Sequence, residues 1–76
     1  MATSSIRAIL ARNVRAYARK KGIALNSLAD FAGVSRSQLF DVLAKRKAAS
    51  VDWLAKVAKA LDVEPHDLLN PAAKPN

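Results

Sequence analysis

At 76 residues the chain has room for one domain in which every helix shares a single core, since folding at this size buries only ~60% of the unfolded surface. It has no cysteine and one histidine, His66, which excludes a disulfide framework, a thiolate metal site and a histidine-built metal centre, so no cofactor is expected. Thirteen Lys and Arg stand against six Asp and Glu, and a net charge of +7 on so short a chain points to a polyanionic partner, nucleic acid first and an anionic membrane surface second.

Thr3, Ser4 and Ser5 offer N-caps for a first helix that runs to about Lys21, where Gly22 ends it. Ile6, Leu10, Val14 and Tyr17 recur at helical spacing, with Ile9 and Lys21 at the margins and Arg12, Arg15 and Arg19 on the opposite face. Alone, such a helix could lie on a membrane surface. Three further helices carry apolar stripes that need covering, so it is assigned to the core and no membrane partner is expected. No apolar run approaches the ~20 residues that cross a bilayer, and Met1 to Ser5 lacks the parts of a signal peptide. A soluble, cytoplasmic protein is the expectation.

The second helix begins near Leu25 and closes at Ala32-Gly33, with Leu28, Ala29 and Ala32 as its apolar side. Gly33 can take the left-handed backbone that ends it, and Ser35 can cap a third helix from Arg36 to about Ala44. That helix turns Leu39, Val42 and Leu43 inward and leaves Arg36, Ser37, Phe40 and Asp41 on its other side. A basic loop, Lys45-Arg46-Lys47-Ala48-Ala49, leads to Ser50, which caps a fourth helix with Val51, Leu54, Val57, Ala58 and Leu61 as its stripe. Pro65 fits the first position of a short fifth helix carrying Leu68 and Leu69. There is no internal repeat, no alternating strand pattern and no Gly-rich phosphate loop. The expectation is an all-α domain of five helices over residues 1–70, with 71–76 as a flexible tail.

Three stretches in register give this order of elements a family likeness. Asn13-Val14-Arg15 with Gly22-Ile23, then Leu28-Ala29 through Ala32-Gly33-Val34-Ser35-Arg36-Ser37, then Leu54, Val57-Ala58-Lys59-Ala60-Leu61, Val63 and Pro65 to Leu69 resemble the lambda-repressor-like (Xre-type) helix-turn-helix family. The resemblance covers Leu10 to Leu69 and implies a compact DNA-binding domain, bacterial or phage-encoded and associated with the nucleoid. Departures from the family pattern are informative. Members commonly pair an Arg late in the first helix with a Glu at the end of the recognition helix; here both places are apolar, Ala18 and Leu43, so no charge is stranded. Lys45 stands where a Gly is common, so the third helix either runs longer or ends on a strained non-Gly residue. Ala24 replaces the usual Ser or Thr cap of the second helix, and Leu25 the Gln that follows it.

A helix-turn-helix places the N-terminal half of its second helix in the major groove of double-stranded DNA. The matching residues here are Arg36, Ser37, Phe40 and Asp41. Arg36 can offer two donors to guanine, or else sit in solvent or on a phosphate. Ser37 can bond a base edge or serve only as a first-turn residue. Phe40 can meet a thymine methyl or pack on the basic loop. Asp41 can accept from a cytosine amino group or orient Arg36 or Ser37, the reading preferred to an intrahelical pair with Lys45. Ser35, Gln38, Lys45, Arg46 and Lys47 are the expected backbone contacts, which supply affinity and salt dependence without sequence choice. Trp53, at the margin of the fourth stripe, can form an exposed patch with Leu68 and Leu69, and that patch is the expected dimer interface. Two recognition helices would then lie ~34 Å apart on a palindromic operator.

The reading is therefore a homodimeric, sequence-specific transcriptional regulator, a repressor by type. The alternative is an antitoxin-like or adaptor module that uses Trp53, Phe40 and Leu69 to hold an acidic protein. An enzyme is the weakest reading, since no nucleophile and base, and no paired carboxylates, are placed to meet, and no small-molecule substrate is evident.

Overall fold

A computed structural model describes residues 5–73. It contains four α-helices: α1 (Ile6–Lys21), α2 (Leu25–Ala32), α3 (Arg36–Leu43) and α4 (Val51–Leu61). The five-helix expectation is corrected at its last element, because Pro65–Leu69 is a 3-10 segment. Its backbone bonds span three residues, Asp67 to Glu64 at 2.9 Å and Asn70 to Asp67 at 3.5 Å. Pro71 explains the truncation: the residue before a proline is driven out of the helical region, and Asn70 is extended at ψ 114. Only five residues are left between Glu64 and Asn70, little more than one helical turn.

Side-chain caps set three of the four starts. Ser5 accepts from the Ala8 amide, Ser35 from Gln38 and Ser50 from Trp53, at 3.0–3.2 Å. The alternative caps Thr3 and Ser4 lie outside the described residues. Ala24 has no cap to offer, and α2 starts without one. All four helices finish the same way, with one left-handed residue and the next amide reaching back five residues: Ile23 to Ala18, Val34 to Ala29, Arg46 to Asp41 and Val63 to Ala58, at 2.9–3.0 Å. The left-handed residues are Gly22, Gly33, Lys45 and Asp62. Lys45, at φ +66, settles the end of α3 as the strained non-Gly residue and not a longer helix.

The core gathers Leu10, Val14, Ala18, Leu28, Ala29, Leu39, Val42, Leu43, Trp53, Leu54, Val57, Ala58, Leu61 and Leu68. α1 packs on α3 and on the 3-10 segment, and α2 on α4. Two positions exchange roles relative to the sequence reading. Val51 is 79% exposed and Trp53 only 3%, because Trp53 stacks in the i, i+4, i+8 row with Val57 and Leu61 while Val51 projects from the first turn. The expected exposed patch is thereby corrected: Trp53 and Leu68 are core residues, and only Leu69 reaches the surface, half-buried.

Asn13 is fully buried on α1, among the apolar residues. Its Nδ2 donates to the carbonyls of Leu68 and Asn70 at 3.0 Å and faces that of Asp67 at 3.3 Å. Its Oδ1 accepts from Arg12 Nε and Nη2 at 3.1 and 2.9 Å. Arg12 in turn donates to the Pro71 carbonyl at 2.8 Å. One amide therefore satisfies carbonyls at the C-terminal end of the 3-10 segment, and Asn70, the last residue of the expected domain, and Pro71, the first of the expected tail, are both tied to α1.

Candidate nucleic-acid interface

Gly33 and Ser35 fix how α2 hands over to α3. The left-handed Gly33, at φ +71, reverses the chain within one residue, and Val34 drops half-buried onto the core before Ser35 caps α3. With Leu39, Val42 and Leu43 locked inside, helical geometry leaves Arg36, Ser37 and Phe40 exposed together along one side of α3. Phe40 is 39% exposed. The structure brings these three and the loop of Lys45, Arg46 and Lys47 onto contiguous chain, and all three loop cations are exposed.

The charged groups are already engaged with one another. Arg36 Nη2 donates to Asp30 Oδ2 at 3.0 Å, across the turn. That hydrogen bond first, and the charge of Asp30 second, raise the Arg36 pKa further above the ordinary arginine value, so the guanidinium stays charged. Asp41 is the correction within this set. It orients neither Arg36 nor Ser37, and it does not pair with Lys45: its Oδ1 accepts from Arg46 Nε and Nη2 at 3.2 and 3.0 Å, and its Oδ2 lies 3.7 Å from Lys47 Nζ. The cause is the left-handed Lys45, which turns the chain back so that the two following residues, not Lys45, face the carboxylate.

Of the expected backbone contacts, Ser35 is exposed with its hydroxyl oxygen accepting from Gln38, and Gln38 is half-buried. Sequence reasoning missed three residues. Asp30 takes up Arg36, a pairing signalled only by opposite charges on either side of a tight turn. Arg7, in the first turn of α1, donates to the Lys45 carbonyl at 3.3 Å and so steadies the exit of α3; a contact across 38 residues leaves no local signal. Phe31 is 69% exposed on α2.

Two grooves open on other parts of the domain. One of about 330 Å³ is lined by Arg15, Ala18, Arg19, Ile23, Ala24 and Leu25, where α1 ends and α2 begins. The other, about 190 Å³, lies between the first turns of α1 and the loop before α4, and its lining includes Ile6, Leu10, Leu54 and Leu69. No helix among the described residues is long and apolar enough to cross a membrane.

Comparison with known proteins agrees with this geometry. The family described as helix-turn-helix matches residues 14–68. The chain is 35% identical over 63 residues to the HTH-type transcriptional regulator SinR of Bacillus licheniformis, covering 82% of this chain and 57% of that protein, so it spans little more than half the length of such relatives. Among solved structures it is similar to a hypothetical transcription factor, NHTF, from Neisseria, with TM-score 0.85 and 34% identity over 90% of this chain and 78% of the other. It is also similar to the restriction-modification controller protein C.AhdI from Aeromonas hydrophila, with TM-score 0.77 and 29% identity over 82% and 94% of the two chains. The relatives are named as regulators of transcription or restriction-modification, and none as an enzyme.

Proposed function

The chain belongs to the helix-turn-helix family, and from that premise we propose that it is a sequence-specific DNA-binding regulator of transcription, acting as a homodimer on a palindromic operator. The observation that carries the reading is the single exposed side of α3, Arg36, Ser37 and Phe40, running directly into the exposed cations Lys45, Arg46 and Lys47. In this reading α3 enters the major groove. Arg36 leaves Asp30 to donate to guanine, Ser37 bonds a neighbouring base edge, and Phe40 meets a thymine methyl. Ser35, Gln38 and the loop cations take the backbone, together with the amide donors at the start of α3.

The dimer face is the smaller groove. With Trp53 and Leu68 beneath the surface, its larger accessible apolar side chains are Leu69 and the exposed Ile6, beside Ala48 and Ala49. Dimerisation doubles the contacts of a recognition helix only eight residues long. The adaptor alternative loses Trp53, which is buried, and no observation favours it over DNA.

Selection of binding sites from random duplex DNA tests the whole reading. A recovered palindrome whose half-sites lie one helical turn apart is the expected result. Affinity that falls with salt but shows no preferred sequence would overturn specific regulation. Ile6→Glu should shift sedimentation equilibrium toward monomer and weaken operator binding.

A further inference from the structure

Asp41 sits at an awkward place for a DNA-binding surface, since a carboxylate there faces the charge of the phosphates. The structure shows what occupies it. Its side chain is only 23% exposed, and it holds the basic loop twice over: its carboxylate takes Arg46 and Lys47, while its backbone carbonyl accepts from their amides at 2.9 and 3.4 Å. Arg46 presents its Nε and Nη2 edge, the same edge that a guanidinium gives to phosphate oxygens. Arg46 cannot offer that edge to Asp41 and to a phosphate at once.

We propose that Asp41 sets the specificity of DNA binding by standing in for a phosphate, holding Arg46 and Lys47 off the DNA backbone until a correctly seated duplex displaces it. This rests on the DNA-binding reading above. Non-specific binding depends almost wholly on backbone charge, so an occupied Arg46 and an unreleased Asp41 weaken it directly. At a specific site α3 lies in the groove, and the displaced carboxylate regains a donor wherever the sequence presents a cytosine amino group. Random sequence offers no such donor in a fixed place. The acid thus penalises wrong DNA more than right DNA.

The test compares the wild-type chain with Asp41→Asn on two probes, a random-sequence duplex and a duplex that the wild type selects. Freeing Arg46 to neutralise one more phosphate should steepen the salt slope on random duplex by about 0.9. The tightening by Asp41→Asn should then be about three- to fourfold greater at 50 mM than at 200 mM salt. On the selected duplex the variant should gain little or lose, so that the ratio of the two affinities falls by about fivefold or more. Asp41→Ser should act in the same direction, which covers the case in which the Asn variant folds poorly. With Arg46 and Lys47 both changed to Ala, Asp41→Asn should lose most of its gain on random duplex. An unchanged affinity ratio, or a gain that persists undiminished without the two cations, would overturn the proposal. A wild type that selects no sequence at all would instead overturn the functional reading beneath it.

Discussion

Replacing Asn13 by Ala removes the buried polar side chain that joins α1 to residues 67–70. In the variant the carbonyls of Leu68 and Asn70 lose their 3.0 Å donor, and Arg12 loses its acceptor at 2.9 and 3.1 Å. Stranding buried acceptors costs about 1–3 kcal/mol, and a small cavity adds about 1 kcal/mol. The expected loss is therefore about 2–4 kcal/mol. A domain of this size has a total stability of about 4–11 kcal/mol, so that is a large share of it. At about 4–8 °C per kcal/mol, Tm should fall by about 8–32 °C. Urea or thermal unfolding can be followed by the fluorescence of Trp53, the only tryptophan in the chain. Asn13→Asp separates donation from mere size. Its carboxylate keeps an acceptor for Arg12 but cannot donate to the carbonyls of Leu68 and Asn70, so at neutral pH it should be less stable than wild type. A loss below about 1 kcal/mol for Ala, or an Asp variant as stable as wild type at neutral pH, would refute the argument.

Lys45→Gly removes the cost of a left-handed lysine, about 1–2 kcal/mol, but adds unfolded-chain entropy, so a net gain of about 0.5–1 kcal/mol is expected in urea titration. The same change deletes one cation and should lower affinity for every duplex alike. Trp53 Nε1 is buried without a hydrogen-bond partner. Trp53→Phe should therefore change stability by less than about 1 kcal/mol, because shedding an unsatisfied N–H offsets the lost packing; a loss above about 2 kcal/mol would show that the indole N–H is satisfied. Leu43→Glu should cost about 3–5 kcal/mol by burying a lone charge, and adding Ala18→Arg should recover part of it in a double-mutant cycle, helped by the groove beside Ala18. Arg36→Ala should relax sequence preference at one position by ~1–3 kcal/mol, whereas Arg46→Ala should leave the order of preferred bases unchanged while weakening the selected duplex more than random duplex; a relaxed base preference for Arg46→Ala would refute the division of labour.

Helix boundaries were legible in the sequence because their signals are local: serines at three starts, glycines at two ends, and apolar residues at helical spacing between. The burial of Trp53 and the exposure of Val51 were not, because a stripe's edge is decided by which neighbour covers it. The last element misled for a different reason. Pro65 is a sound start signal, but Pro71 six residues later sets the length, and the two had to be weighed together. At the interface the outward side of α3 followed from the inward one, yet the partners of its charges did not. Arg36 and Asp30 meet only once Gly33 has bent the chain, and Asp41 finds Arg46 only because Lys45 takes a conformation rare for its type.

The hold that Asn13 and Arg12 keep on residues 67–71 also dictates an order of assembly. These bonds span 54 to 59 positions of sequence. Loop-closure entropy must be met before contacts of that span reward it, so Asn13 cannot satisfy its buried amide while the chain is still short of Leu68. During synthesis α2, α3 and α4 are made while α1 waits with its amide uncommitted. A chain stopped before Leu68 would carry the reading residues on a frame whose α1 keeps a buried amide without its acceptors.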